Sequence, residues 1–261
     1  MNFDLSNWTF GDKFEQVRSS YAKALIDNFS IDFLASAPIG YLTLLYYSNL
    51  SHQELIGVND FYKQRIVNKN VSVEFREFWK KRISIVSEKL NPFHGDLKRF
   101  DLESIISEVE ESGEFGIDLK KHLRFCFVKA PNFRGASHPH TLFCLYLNYD
   151  ECEKRSDVIK SIVHEIAHQE LFILNLEDRL VREESDGTLK YAPFQRKERP
   201  PIARLHSAHV MYRLIKHVED FSYDLENEKE LLKDTLDTFD HLQLTAAGMS
   251  LVENYRRVLE S

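Results

Sequence analysis

The sequence predicts a mainly helical fold with one small β-sheet. Three observations carry this expectation. Apolar residues recur at spacings of three and four over most of the chain, as one face of a helix requires. Two short aromatic stretches, residues 123–128 (LRFCFV) and 141–149 (TLFCLYLNY), read instead as buried strands. Directly after them comes the most apolar helical pattern, residues 157–175 (DVIKSIVHEIAHQELFILN). There Ile159, Ile162, Val163, Ile166, Leu171 and Phe172 spread around the axis, so this helix is expected to be buried nearly all round, with the chain organised about it.

Taken in order, residues 12–29 place Phe14, Val17, Tyr21, Ala24 and Leu25 on one side of an amphipathic helix, and Ser30 and Asp32 offer caps for a second. Residues 39–47 are apolar and aromatic, read as helix. Residues 71–90 align Phe75, Phe78, Trp79, Ile83, Val86 and Leu90, and Asn91-Pro92 stops that helix because a residue before proline avoids helical geometry. Asp101 is the expected N-cap of a helix over 102–111, with Gly113 as its terminator. The segment between the strands, PNFRGASHPH, is expected to be a loop with His138 and His140 exposed. Beyond the apolar helix lie a charged stretch, 177–187, and a cationic, proline-bearing extended segment, 191–201 (YAPFQRKERPP). Helical spacing returns over 202–218, 225–244 and 245–259. No internal repeat or linker interrupts the chain, so a single domain, 1–261, is expected, with a helical N-terminal half (1–120) and a second half (121–261) carrying the site.

Composition narrows the function classes. With 261 residues and 43% hydrophobic content there is ample material for a core. A net charge of -7, with no Lys/Arg block, argues against nucleic acid as partner. Cys126, Cys144 and Cys152 are odd in number and lack metal-knuckle spacing, which predicts reduced thiols in a cytoplasmic protein. The N-terminus lacks the basic start and apolar run of a secretory signal. The least charged stretch, 33–53, is broken by Pro38 and Gly40, so no membrane span is expected.

The chemistry concentrates in His164, Glu165 and His168, an HExxH motif. Residues four apart share a helix face, so both imidazoles can reach one metal ion while Glu165 touches a ligand on that metal. The bland alternative is a pair of hydrogen-bonded core histidines. Two ligands leave a site unfinished, since catalytic zinc takes three protein ligands plus water and non-heme iron takes three with open positions. Leu171 and Leu174 stand where a metzincin would continue its motif, which excludes that class. Glu183 and Glu184 are available as a gluzincin's carboxylate ligand but read better as solvated charges. His206 and His209 lie early in the next apolar helix, where a ligand from a second element can meet the first two.

HEIAHQELFIL, the segment YAPFQRKERPPIARLH and the late LTAAGMSLVENY together resemble the HExxH-motif proteins of ribosomal peptide natural-product clusters, some of which are 2-oxoglutarate-dependent iron peptide β-hydroxylases. The resemblance covers about the last 120 residues. It implies His164, His168 and His206 as metal ligands, with His209 as substitute. It also implies Arg199 as the cation for the far carboxylate of 2-oxoglutarate, with Arg196 and Arg204 behind it. The family's Arg-Pro element matches Arg199 and Pro200, while an earlier arginine falls at Gln195 and a proline at Glu198. The implied cofactors are Fe(II), 2-oxoglutarate and O2, and the implied partner is a precursor peptide. The alternative is a zinc metallopeptidase with Zn(II) and Glu165 as general base, and a third reading is a binding protein without catalysis. Sheet before HExxH helix is also the order of zincin-like folds, so a small zincin-like sheet beside that helix is expected.

Overall fold

The computed structural model describes residues 100–111, 115, 119, 123–127, 134–137, 144–148, 152–218 and 225–260. The helices expected over 12–29, 39–47 and 71–90, the terminator Gly113, and His138 and His140 lie outside the described residues. Among the described residues the fold is mainly helical with two small sheets, and the chain divides into two units. One comprises Phe14–Gly113 and Ile117–Glu165; the other comprises Met1–Lys13, Glu114–Gly116 and Ile166–Ser261. The division falls inside the HExxH helix, which is continuous across it.

In the first of these, α1 (Leu102–Glu111) begins where expected: the Asp101 carboxylate accepts from the Ser104 amide at 3.2 Å, satisfying a donor that the first turn leaves open. Ile105, Ile106 and Val109 form its buried face. The sheet is mixed, in the order β1 (Arg124–Phe127), β3 (Cys144–Leu147), β2 (Gly135–Ala136). β1 runs parallel to β3 with Arg124 opposite Cys144, and β2 runs antiparallel with Gly135 opposite Leu147. Leu145, Tyr146 and Leu147 are all buried, so both faces of β3 are covered, which explains its unbroken apolar run. β2 departs from the loop that the sequence predicts there. Two small residues carry no alternation to read, and β3's backbone edge makes them a strand.

α2 (Arg155–Glu177) is the HExxH helix. Its first turn is closed by Asp157, which accepts from the amides of Lys154 at 2.9 Å and Glu153 at 3.1 Å, the acidic half of a capping box. Its burial all round follows the expectation: Val158, Ile159, Ile162, Val163, Ile166, Ala167, Leu171, Ile173 and Leu174 are each 1% exposed or less.

The other unit continues from α2 through a 3-10 turn (Glu183–Ser185) to an antiparallel hairpin, β4 (Lys190–Ala192) and β5 (Lys197–Arg199). The segment expected to be extended folds back on itself. Its turn closes with the Arg196 amide donating to the Ala192 carbonyl at 2.8 Å, and Arg196 takes a positive φ of 52°. An arginine at a left-handed position gives no Asn-Gly or Asp-Gly signal, so the hairpin was not legible. α3 (Pro201–Val218) starts on proline, whose fixed φ suits a first helical position.

α4 (Glu226–Leu236) stops eight residues before the expected end at 244. The reason is Arg204 on α3, which is fully buried and donates to the Thr238 carbonyl and hydroxyl, both at 2.7 Å, and to Gln243 Oε1 at 3.0 Å. A helix continuing past 236 would need that carbonyl for itself. α5 (Ala246–Glu260) is capped by Thr245, whose hydroxyl accepts from the Gly248 amide at 3.2 Å. Gly248 packs against backbone: a Cβ there would lie 2.1 Å from the Leu180 carbonyl oxygen. Alanine would gain about 1 kcal/mol in helix propensity but must displace that chain, which costs about 1–3 kcal/mol or more. Gly248→Ala is therefore expected to lower the urea midpoint, and a raised midpoint would contradict this packing. Among the described residues no helix is long and apolar enough to cross a membrane.

Candidate metal centre

Helix geometry sets His164 and His168 one turn apart on one face of α2. α3 then brings His206 to His168, with the two Nδ1 atoms 3.0 Å apart. Phe172, one turn beyond His168, holds the partner ring in place, its centroid 4.7 Å from that of His206. Nitrogens this close either share one proton or share one cation, because two N–H groups cannot face each other. Two nitrogens each about 2.1 Å from one ion stand about 3.0 Å apart at a right angle and about 3.4 Å apart at a tetrahedral angle, so this pair fits a shared transition metal.

His164 keeps some exposed surface, yet the protein packed around it lowers its pKa from 6.5 to about 4 by desolvation. It is thereby held as the neutral imidazole at neutral pH, the form that binds metal. Of the three expected ligands, His168 and His206 are brought together and His164 stands one turn earlier on the same helix as His168. Among the described residues no group of three His, Cys, Asp or Glu side chains gathers in a metal-holding arrangement.

His209, the substitute ligand, is committed elsewhere. It is fully buried, with Nδ1 2.8 Å from the Tyr255 hydroxyl and Nε2 2.8 Å from Glu170 Oε2. Arg213 closes the network, Nε donating to Glu170 Oε2 at 2.6 Å and Nη2 to Oε1. Burial alone would raise the Glu170 pKa, but Arg213 and then His209 outweigh it and hold the carboxyl at about 2. Burial pushes His209 down, against the pull of Glu170, and Tyr255 up. The network is therefore directional: a neutral Tyr255 O–H donates to Nδ1 of a neutral His209, whose Nε2–H donates to an ionised Glu170 balanced by Arg213.

Glu165 is 3% exposed and lies against β2. The Ser137 hydroxyl donates to its backbone carbonyl at 3.0 Å, and a Cβ on Gly135 would come within 2.7 Å of its Oε1. Gly135 is thus the space into which the Glu165 side chain fits. The flexible end of a side chain can yield, so Gly135→Ala is expected to leave stability within about 1 kcal/mol while moving the carboxylate. If Glu165 serves the reaction, turnover drops about tenfold or more. Unchanged turnover would place Glu165 outside the chemistry.

The three arginines part company. Arg199, at the end of β5, is part-buried, and its Nε is buried with no hydrogen-bond partner among the described residues. Arg196 is exposed at the hairpin turn. Arg204 is not placed to anchor a cosubstrate: its Nη atoms clamp Thr238 and Gln243, and its guanidinium lies 4.9 Å from the Phe239 ring centroid. Gln195, where the family has arginine, donates from Nε2 to Ser207 Oγ and leaves Oε1 buried without a partner among the described residues. That bond ties the hairpin to α3 beside His206. Glu183 and Glu184 are exposed on the 3-10 turn, Glu183 pairing with Arg179 at 3.3 Å, in keeping with solvated charges.

Sequence reading gave Glu170, Arg213 and Tyr255 no part in the site, and Phe172 only a part in the apolar surface of its helix. The first two did leave a signal. Glu170 sits among Leu171, Ile173 and Leu174, and Arg213 among Val210, Met211, Leu214 and Ile215, and a charge inside an apolar helical run must find a partner. Compared with known proteins, this sequence matches no protein-family model and no curated protein.

Proposed function

We propose that this chain is an Fe(II)/2-oxoglutarate-dependent oxygenase that β-hydroxylates side chains of a ribosomally synthesised precursor peptide in the cytoplasm. The supporting observation is the 3.0 Å approach of His168 and His206 from separate helices. In this reading His164, His168 and His206 hold the iron. When bound, the metal supplies the dioxygen chemistry: one oxygen atom goes to the peptide C–H, and the other to succinate as 2-oxoglutarate loses CO2. Arg199 is the residue for the far carboxylate, since its buried Nε meets no acceptor among the described residues and a carboxylate supplies one. Arg196, exposed on the same hairpin, is the second cation. Phe172 shields the imidazole pair from water, and Glu165 orients what binds beside it. The small sheet ahead of the HExxH helix is read as zincin-like.

One observation favours a second reading. The burial of Glu165 against β2 is what a zinc metallopeptidase would need to fix a general base. The experiment that separates the two supplies Fe(II), 2-oxoglutarate and air and measures succinate. Release that stops without iron or without oxygen is expected. Silence under those conditions, together with zinc-dependent peptide cleavage that is lost in Glu165→Gln, would replace the oxygenase by the peptidase.

A further inference from the structure

His206, His209 and Arg213 follow one another at spacings of three and four, so they share one face of α3. Through the first residue this face meets His168 of α2, and through the other two it grips Glu170, two residues further along the same helix. Glu170 receives three donors, His209 Nε2–H and two N–H groups of Arg213, and is 0% exposed. A carboxylate held in this way fixes both the rotation of α3 and its height along α2, which apolar contacts alone define loosely. Tyr255 on α5 extends the grip by holding His209 from its other nitrogen. The metal pair meets more loosely, His206 touching Phe172 and His168 by tilted ring faces and by the one Nδ1 approach.

We infer that Glu170 is a positioning residue for the metal centre: by clamping His209 and Arg213 it sets His206 at coordinating distance from His168. The inference rests on the metal reading above and adds the device that builds the site. A carboxylate that orients a ligand indirectly governs metal affinity, and loss of such a partner typically weakens binding about 10–100-fold.

The test titrates Co(II) into metal-free protein and follows the visible ligand-field absorption. Glu170→Gln keeps the shape but sets an amide N–H against donors, and is expected to weaken Co(II) binding about 10–100-fold with an altered spectrum. Tyr255→Phe removes only the hydroxyl that holds His209. It is expected to weaken binding a few-fold, and it carries the test should Glu170→Gln not fold. Leu232→Ala, a buried change on α4, serves as the stability control and is expected to lower the melting temperature while leaving the Co(II) constant at the parent value. Parent-like binding in a folded Glu170→Gln, or in Tyr255→Phe should the former not fold, would overturn the inference. So would weakening in Leu232→Ala equal to that in the network variants, since metal affinity would then follow stability alone. A parent chain that itself takes no Co(II) would overturn the metal reading and this inference with it, a result recognisably different from a parent that binds and variants that bind equally.

Discussion

Glu170→Ala is expected to destabilise the protein by about 3–5 kcal/mol, the largest effect of any single change at the site. The side chain is completely enclosed, and removing it strands the Arg213 guanidinium, 5% exposed, without its counter-charge and the His209 Nε2–H without an acceptor. The pair need not contribute that much net stability in the native protein, because burying both charges was itself costly. What makes the truncation severe is the uncompensated charge it leaves. The pH dependence follows with a definite sign. Glu170 titrates at about 2 in the folded chain against an ordinary 4.5, so its contribution is complete above 4.5 and is lost as pH falls from there toward 2. Urea denaturation at stepped pH should show this acid loss in the parent and a shallower one in Glu170→Ala. A variant within about 1 kcal/mol of the parent at neutral pH would contradict the network.

His206→Ala is expected to have the opposite profile, a large loss of function with little loss of stability. His206 is part-exposed and rests on the rings of Phe172 and His168, so truncation should change stability by about 1 kcal/mol or less. If His206 is one of three ligands, as proposed, its loss should abolish stoichiometric metal binding and reduce turnover at least about a hundredfold. His209→Ala, three residues on, should lose stability first: Tyr255 and Glu170 lose their shared partner in the core, while metal binding weakens as in the other network variants but is not abolished. The two histidines were interchangeable candidates on sequence spacing alone. Their burial and partners separate them, and the pair of variants tests that separation by denaturation and metal titration side by side. Equal stability losses in both would contradict the assignment.

What was legible in the sequence had local causes. The HExxH helix, its all-round burial and the Asp101 cap follow from periodicity and from a side chain that satisfies nearby amides, both of which a short window contains. α3 was legible for the same reason. The β4–β5 hairpin and the early end of α4 were not. Arg196 takes a left-handed conformation that its residue type does not announce, and α4 ends because Arg204, more than thirty positions earlier, takes the Thr238 carbonyl. At the site, the motif pointed to His164 and His168 and the resemblance put His206 before His209, but that His209 is taken by Tyr255 and Glu170 is a tertiary fact that spacing does not carry. Arg204 and Arg199 looked alike as cations near a proline pair, and each has a buried Nε that meets no acceptor among the described residues; what separates them is that the Nη atoms of Arg204 are taken by Thr238 and Gln243.

The most direct measurement of the central claim is X-ray absorption at the metal edge of Co(II)-loaded protein, with His168→Ala and His206→Ala alongside the parent. One ion per chain with imidazole scattering that diminishes in each variant is the predicted result. An ion whose coordination is the same in all three samples would show that His168 and His206 do not share it.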